Sequence, residues 1–402
     1  MMRKMNGYTQ AQADMLRFVF NNGKVSRAQL ADALGVSTLT VINGVKKLLE
    51  DGVLAECGTL PSERGRRVTL LSVNPELHYF LSVDIGAYST KLAIVRFDGS
   101  IIHREQIVHV KRNVFNTYIT PQLLREKIEV LLQKFGKKRI SALCFSISGT
   151  VDFANKKSLF CANVQGWNDV DFQKEFGDHF DLPVYLDSSG HCYAMAERQF
   201  GLGKNISDLI FISVGHSICT GIIQGGKLLR GVSGAAGELG HIQVRGEQAP
   251  HTWKCTCGRR NCLEVHATLP VIRMKAQRYY AELDPTWTPT RNCVEADAWM
   301  KEAFAAQDPF AVQAVENAAR ILGQQVATVA DLLNPKMIVF GGGTIHAFPK
   351  MIETIRREIL DNSLPVISRE LTVEHSQLGP DAPLQGAALL AIYDLLKKST
   401  EK

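Results

Sequence analysis

The sequence predicts an α/β protein that opens with a small winged helix-turn-helix. Three observations predict it. The first fifty residues hold helix-spaced apolar positions broken at Asn21-Asn22-Gly23 and at Gly35. Two short apolar stretches around a polar, arginine-rich loop follow Asp51-Gly52. From about residue 78, strand-like apolar runs that end in glycine turns alternate with helical stretches.

Met15, Leu16, Phe18, Val19 and Phe20 give residues 8–22 a helical apolar face. Ser26 stands three residues before Gln29, the spacing of a capping box, and opens a second helix through Leu30, Ala31, Ala33 and Leu34 to Gly35. Ser37 opens a third helix whose apolar residues are Leu39, Val41, Ile42, Val45, Leu48 and Leu49. The two helices joined at Gly35-Val36 form a helix-turn-helix. Val53-Leu54-Ala55 and Val68–Val73 read as the strands of a wing, with a polar loop over 58–67.

In such a module the third helix enters the major groove of double-stranded DNA. Ser37, Thr38, Thr40 and Asn43 are the candidates for base edges, and Lys46 and Lys47 lie nearer phosphate. The wing tip, with Arg64, Gly65, Arg66 and Arg67, suits a minor groove, where narrow A·T tracts concentrate negative potential. Charge agrees. Residues 1–72 hold ten Lys and Arg against six Asp and Glu, which is +4 of the chain's net +6. A basic head on a nearly neutral body is the footprint of a nucleic-acid-binding module. A DNA-binding domain is therefore expected over 1–72, and a second unit over 78–400.

In that second unit, residues 80–85, 91–97, 140–147, 209–214, 221–224 and 337–340 read as strands, and most of them run into glycine-bearing turns. Residues 123–135, 191–201, 311–333 and 349–360 read as helices. Repeated strand-to-glycine turns in an α/β body point to ligand-facing loops.

Composition removes several classes. With 402 residues, 45% hydrophobic and 21% charged, the chain is an ordinary globular one. No run of about 18 apolar residues exists to span a membrane. The start, Met1-Met2-Arg3-Lys4-Met5-Asn6, lacks the apolar core of a signal peptide. The nine cysteines are then expected to be reduced thiols of a cytoplasmic protein, and a cluster of them to be a metal site.

Four stretches carry a family resemblance: Asp84-Ile85-Gly86; Gly237-Glu238-Leu239-Gly240-His241; Cys255-Thr256-Cys257-Gly258 with Cys262-Leu263-Glu264; and Asn334-Pro335-Lys336 ahead of Gly341-Gly342-Gly343. In these the sequence resembles the ROK family (repressors, open reading frames, sugar kinases). With the winged helix in front it is similar to the repressor branch, such as the xylose and N-acetylglucosamine repressors. The resemblance implies a two-lobed, actin-like (ribonuclease H-like ATPase) architecture of the sugar-kinase type, with a ligand between the lobes.

Cys255, Cys257, Cys262 and the upstream His241 offer three thiolates and an imidazole, a closed tetrahedral set for a structural zinc ion. The family pattern supports this set. The fourteen-residue step from His241 to Cys255 is long for it, so His251 competes as fourth ligand, with His266 behind it. Burial accounts for the other cysteines: Cys57, Cys144, Cys161, Cys192, Cys219 and Cys293.

Sugar kinases of this family resemble one another in an Asn-Asp pair ahead of the helix that ends Ala-Glu. Here that pair is Ser188-Ser189, so Ser189 stands at the position of the general base. The turns that would hold ATP phosphates read Gly86-Ala87-Tyr88-Ser89-Thr90 and Gly215-His216-Ser217-Ile218-Cys219, with side chains where glycines would lie. The resemblance places the sugar contacts at Gly149, Thr150, Asn163, Ser189, Glu238, His241 and Glu264. The expectation is a non-enzymatic repressor of carbohydrate-metabolism genes. It would bind a palindromic operator as a homodimer or homotetramer and respond to a sugar or sugar derivative. The alternatives are a sugar kinase carrying a DNA-binding head, and a regulator controlled by a protein partner at the zinc loop.

Overall fold

Three helices and a three-stranded antiparallel sheet build the head. The helices are Gln10–Asn22, Arg27–Leu34 and Thr38–Glu50, and the strands Val25–Ser26, Leu54–Leu60 and Val68–Val73. The computed structural model describes residues 5–61, 67–109, 119–246, 249, 253–283 and 293–401. Thr9 and Ser26 each close a capping box, with Gln12 and Gln29 as reciprocal partners. The first wing strand runs on to Leu60, so the loop starts later than residue 58.

Behind the head stand two sheets of five strands with the same topology. The first has the order Val184–Ser188, Ile140–Ile147, Tyr79–Ile85, Ser89–Arg96, Ile101–Val108. The second has the order Lys227–Leu228, Ile218–Gln224, Leu209–Val214, Met337–Gly341, Thr372–His375. In each, the first strand of the lobe is central, antiparallel to the second and parallel to the fourth. This is the actin-like, two-lobed α/β arrangement.

Strand alternation assigns each face. In the first lobe Leu81, Val83, Ile85, Phe145 and Ile147 pack under the helix Pro121–Phe135, while Phe80, Ala93, Val95 and Cys144 pack under the C-terminal helix Ala382–Lys398. In the second, Ile210, Ile212, Val214, Ile338 and Phe340 pack on the helices Leu269–Leu283, Pro309–Leu333 and Met351–Asn362. Phe211 and Val339 face the other way, onto the helix Ser189–Phe200.

That helix lies between the lobes. At its start Gly190 sits against the backbone of Thr220 in the second lobe, where a Cβ would come within 2.4 Å of the carbonyl oxygen. Still in its first turn, at Cys192, Gly386 of the C-terminal helix approaches so closely that a Cβ would lie 1.9 Å from the Cys192 oxygen. At its far end Gln199 donates to the carbonyl of Phe20 in the head (3.2 Å) and accepts from Tyr393 (2.9 Å). Phe20 also packs edge-on against Tyr393 and, tilted, against Phe97, so the head's core continues into that of the body.

Candidate functional site

On the head, Val41, Gly44, Val45 and Leu48 turn one face of the third helix inward. Thr38, Thr40, Asn43, Lys46 and Lys47 are exposed. Ser37 caps the helix: its hydroxyl accepts from the Thr40 amide (3.1 Å) and lies 2.9 Å from the Thr40 hydroxyl. Lys47 pairs with Asp51 at 2.7 Å. Two residues expected on the apolar face depart from it. Leu39 is 66% exposed and Ile42 47%, because only positions 41, 44, 45 and 48 share the arc that meets the core. Arg67 is exposed, and Arg64, Gly65 and Arg66 lie outside the described residues.

Between the lobes a single cleft is lined by Gly149, Thr150, Asn163, Ser189, Glu238, His241 and Glu264 together. They come from four places. Gly149 and Thr150 follow the strand Ile140–Ile147; Asn163 follows the hairpin strand Lys157–Phe160; Ser189 starts the interlobe helix; the rest belong to the loop before and after the cysteines. Glu264 accepts from the Ile218 amide at 2.9 Å. Burial raises the Glu238 carboxyl above its ordinary range; it also raises that of Glu264, against which the Ile218 amide works. Such a set of carboxylates, amide and hydroxyls can bond a ring of vicinal hydroxyl groups from several sides.

Beside the cleft, His241, Cys255, Cys257 and Cys262 bring one ligand atom each within 4.8 Å of one another. His241 Nδ1 lies 3.5 Å from Cys255 Sγ, and Cys257 Sγ lies 3.6 Å from Cys262 Sγ. The edges of a zinc tetrahedron with ordinary bond lengths are about 3.6 Å for N–S and about 3.8 Å for S–S. The cluster could therefore hold a metal ion. His266 is turned away from it and bonds Asn261 at 2.9 Å, while His251 lies outside the described residues. His241 belongs to both groups through different atoms: Nδ1 faces the sulfurs, and Nε2 faces Glu238 at 3.8 Å. Of the other cysteines, Cys144, Cys161 and Cys192 are buried, whereas Cys57 and Cys219 are only half-buried.

The neighbouring half of the cleft is differently built. Ser189, Ser146 and the buried Asp84 form a hydroxyl–carboxyl triangle, and burial raises the Asp84 carboxyl. Asp187 is not a free base. Burial opposes its charge, but His191 Nδ1 at 2.6 Å and Arg230 at 2.7 Å outweigh this and hold it below the usual range. Across the gap, the ring of Tyr88 stacks on that of His216, with centroids 3.4 Å apart. His216 is backed by Asp297 at 3.3 Å, and Asp297 by Arg273 at 2.5 Å. Arg230, with its guanidinium 3.9 Å over Phe153, and His191 were not singled out in the sequence. Nothing in their local pattern marks them, because the Arg230–Asp187 contact joins residues 43 apart.

Comparison with known proteins gives a consistent result. The chain is 26% identical over 384 residues to a xylose repressor of Bacillus spizizenii, covering 95% of this chain and 94% of the relative. Its fold matches a crystal structure of a ROK family transcriptional regulator, a homologue of the E. coli MLC protein, with a TM-score of 0.75 at 25% identity over 97% of this chain and 98% of the other. It also matches a ROK family glucokinase from Streptomyces griseus, in complex with glucose and AMPPNP, with a TM-score of 0.65 at 26% identity, over 78% of this chain and 98% of the other. The sequence profile of the ROK family matches residues 80–393. The lobes, the cleft and this match together place the chain in the ROK family.

Proposed function

We propose that the protein is a sugar-responsive transcriptional repressor with a structural zinc ion. The observation that carries the reading is the convergence on one cleft of the seven residues expected to contact a sugar, in a chain whose head exposes a helix-turn-helix. The likeness to a xylose repressor over nearly the whole length, head included, supports it. In this reading residues 1–72 bind DNA and residues 78–400 bind the effector. Ser37, Thr38, Thr40 and Asn43 meet base edges, Lys46 and Lys47 phosphate, and the wing residues 64–67 a minor groove.

The zinc ion would be held by His241, Cys255, Cys257 and Cys262, and would fix the loop that carries the cleft residues. Were Nδ1 to hold the metal, the imidazole would present Nε2–H to the cleft as a donor for a sugar hydroxyl. Glu264 joins the two sites, because its Oε1 is held by Ile218 and its Oε2 lies 3.8 Å from Cys255 Sγ. Phosphoryl transfer is not part of the proposed activity. Ser189 has no base strength at neutral pH, Asp187 is committed to Arg230 and His191, and the Tyr88–His216 stack crosses the side where phosphates would enter.

The test is selection of operator DNA by the purified, zinc-loaded protein, followed by titration of a sugar panel into the complex. A palindromic site bound by a dimer or tetramer, with affinity altered by one sugar class, is the expected result. Hexose-dependent release of ADP would overturn the non-enzymatic part and favour the kinase reading, which the glucokinase match keeps in view.

A further inference from the structure

We infer that Leu39 and Ile42, on the outer face of the third helix, read thymine methyl groups in the operator. The inference rests on the DNA-binding reading above and deepens it by assigning base specificity to two apolar side chains.

The helix Thr38–Glu50 buries Val41, Gly44, Val45 and Leu48. At 100° per residue, Leu39, Ile42, Asn43 and Lys46 fall within an arc of about 100° on the opposite side. Leu39 at 66% exposure is among the most exposed large apolar residues of the described chain, and Ile42 follows it one turn on at 47%. Neither supports the head's core. Together the leucine and the isoleucine place an apolar strip on the outer face of the helix, among exposed polar and basic side chains.

The neighbours on that arc identify what covers it. Lys46 falls between Ile42 and Leu39 around the helix, Asn43 lies on the other side of Leu39, and Lys47 lies next to that arc; all three are exposed. An apolar protein surface would leave the amide and the ammonium groups to be desolvated. The DNA major groove meets all three chemistries within a few ångströms. It offers phosphate oxygens to lysine, N6 and N7 of adenine to an asparagine amide, and the 5-methyl group of thymine to an aliphatic side chain. The pairing is also self-consistent. An adenine read by Asn43 has a thymine opposite it in the same groove, so the apolar pair and the amide read A·T base pairs together.

The experiment uses the full-length, zinc-loaded protein and the duplex obtained by selection. Each thymine of a half-site is replaced in turn by deoxyuridine, which differs only in lacking the methyl group. One or two positions per half-site are expected to lose about three- to tenfold in affinity, the range for burying a single methyl. Leu39→Ala and Ile42→Ala should each lower affinity for the thymine duplex and abolish the deoxyuridine effect at one of those positions, as a coupled pair requires. Both side chains are outside the core, so the variants should keep the thermal stability of the parent. Equal affinity for thymine and deoxyuridine at every position, in a protein that selects and binds a specific duplex, overturns the inference and leaves the repressor reading intact. Failure to select any duplex overturns both.

Discussion

His241 shows how one side chain can serve two sites. Its Nδ1 is turned to Cys255 and its Nε2 to Glu238, so whatever fixes the ring on one side orients the donor on the other. His241→Asn should therefore lower both zinc content and sugar affinity, while Glu238→Gln should lower sugar affinity alone; equal zinc loss in both variants would break the assignment. A second histidine acts through burial. His78 is enclosed beside Phe80 and Phe97 with Nδ1 2.8 Å from Ser141, and burial pulls its pKa down from 6.5 to about 4. Between these values the unfolded chain binds a proton that the folded chain refuses. Stability should thus fall as pH drops from about 6.5 to 4, by about 3 kcal/mol from this residue. Denaturant titrations of the parent and of His78→Gln across that window check it: the difference between the two should change with pH in this direction.

At the scale of elements, two contacts set the structure's tolerance. The approach of Gly386 to Cys192 lets the C-terminal helix lie on the interlobe helix. Gly386→Ala should cost about 1–3 kcal/mol through overpacking, whereas Gly379→Ala, with nothing within 4 Å of a new Cβ, should be neutral in thermal melts. The cysteine loop is the second. Chelation or Cys257→Ser should remove one metal ion per chain and lower sugar affinity before it lowers the melting temperature of the body, because Glu264 reaches both sites. These elements also show what a sequence can disclose. The capping box at Ser26 and the strands that run into glycine turns were legible because each is a local pattern. The capping box at Thr9 and the strands Ile101–Val108, Val184–Ser188 and Thr372–His375 were not read, and the cleft residues came only from the family motifs. The exposure of Leu39 and Ile42 was not legible, since apolar residues at 39, 42, 45 and 49 satisfy helical spacing as well as those at 41, 45 and 48. The Tyr88–His216 stack and the Arg230–Asp187 pair were equally hidden, because only the folded lobes bring such distant positions together.

For the whole molecule, DNA binding should weaken steeply with salt, with a slope of log affinity on log salt set by the number of phosphates neutralised. Sugar and operator should also act reciprocally, each changing the affinity of the other by the same factor. Gln199 links the interlobe helix to Phe20 of the head and Tyr393 of the C-terminal helix. Gln199→Ala is expected to leave sugar affinity of the DNA-free protein within about twofold and to shrink that shared factor, a result read from paired titrations with and without operator. An unchanged factor would mean that the signal travels by another route.

The interlobe helix has one further consequence. Twelve residues, Ser189 to Phe200, make a rod about 18 Å long with the interlobe cleft at one end and the head at the other. A rod of that length magnifies angle into displacement: a tilt of about 3° about its cleft end carries the far end about 1 Å sideways. Gly190 and the approach of Gly386 to Cys192 hold the first turn of the rod between backbones, so the cleft end is where a tilt would pivot. In a symmetric dimer the two heads would take that step in opposite senses, so the spacing between their recognition helices would change by about twice as much.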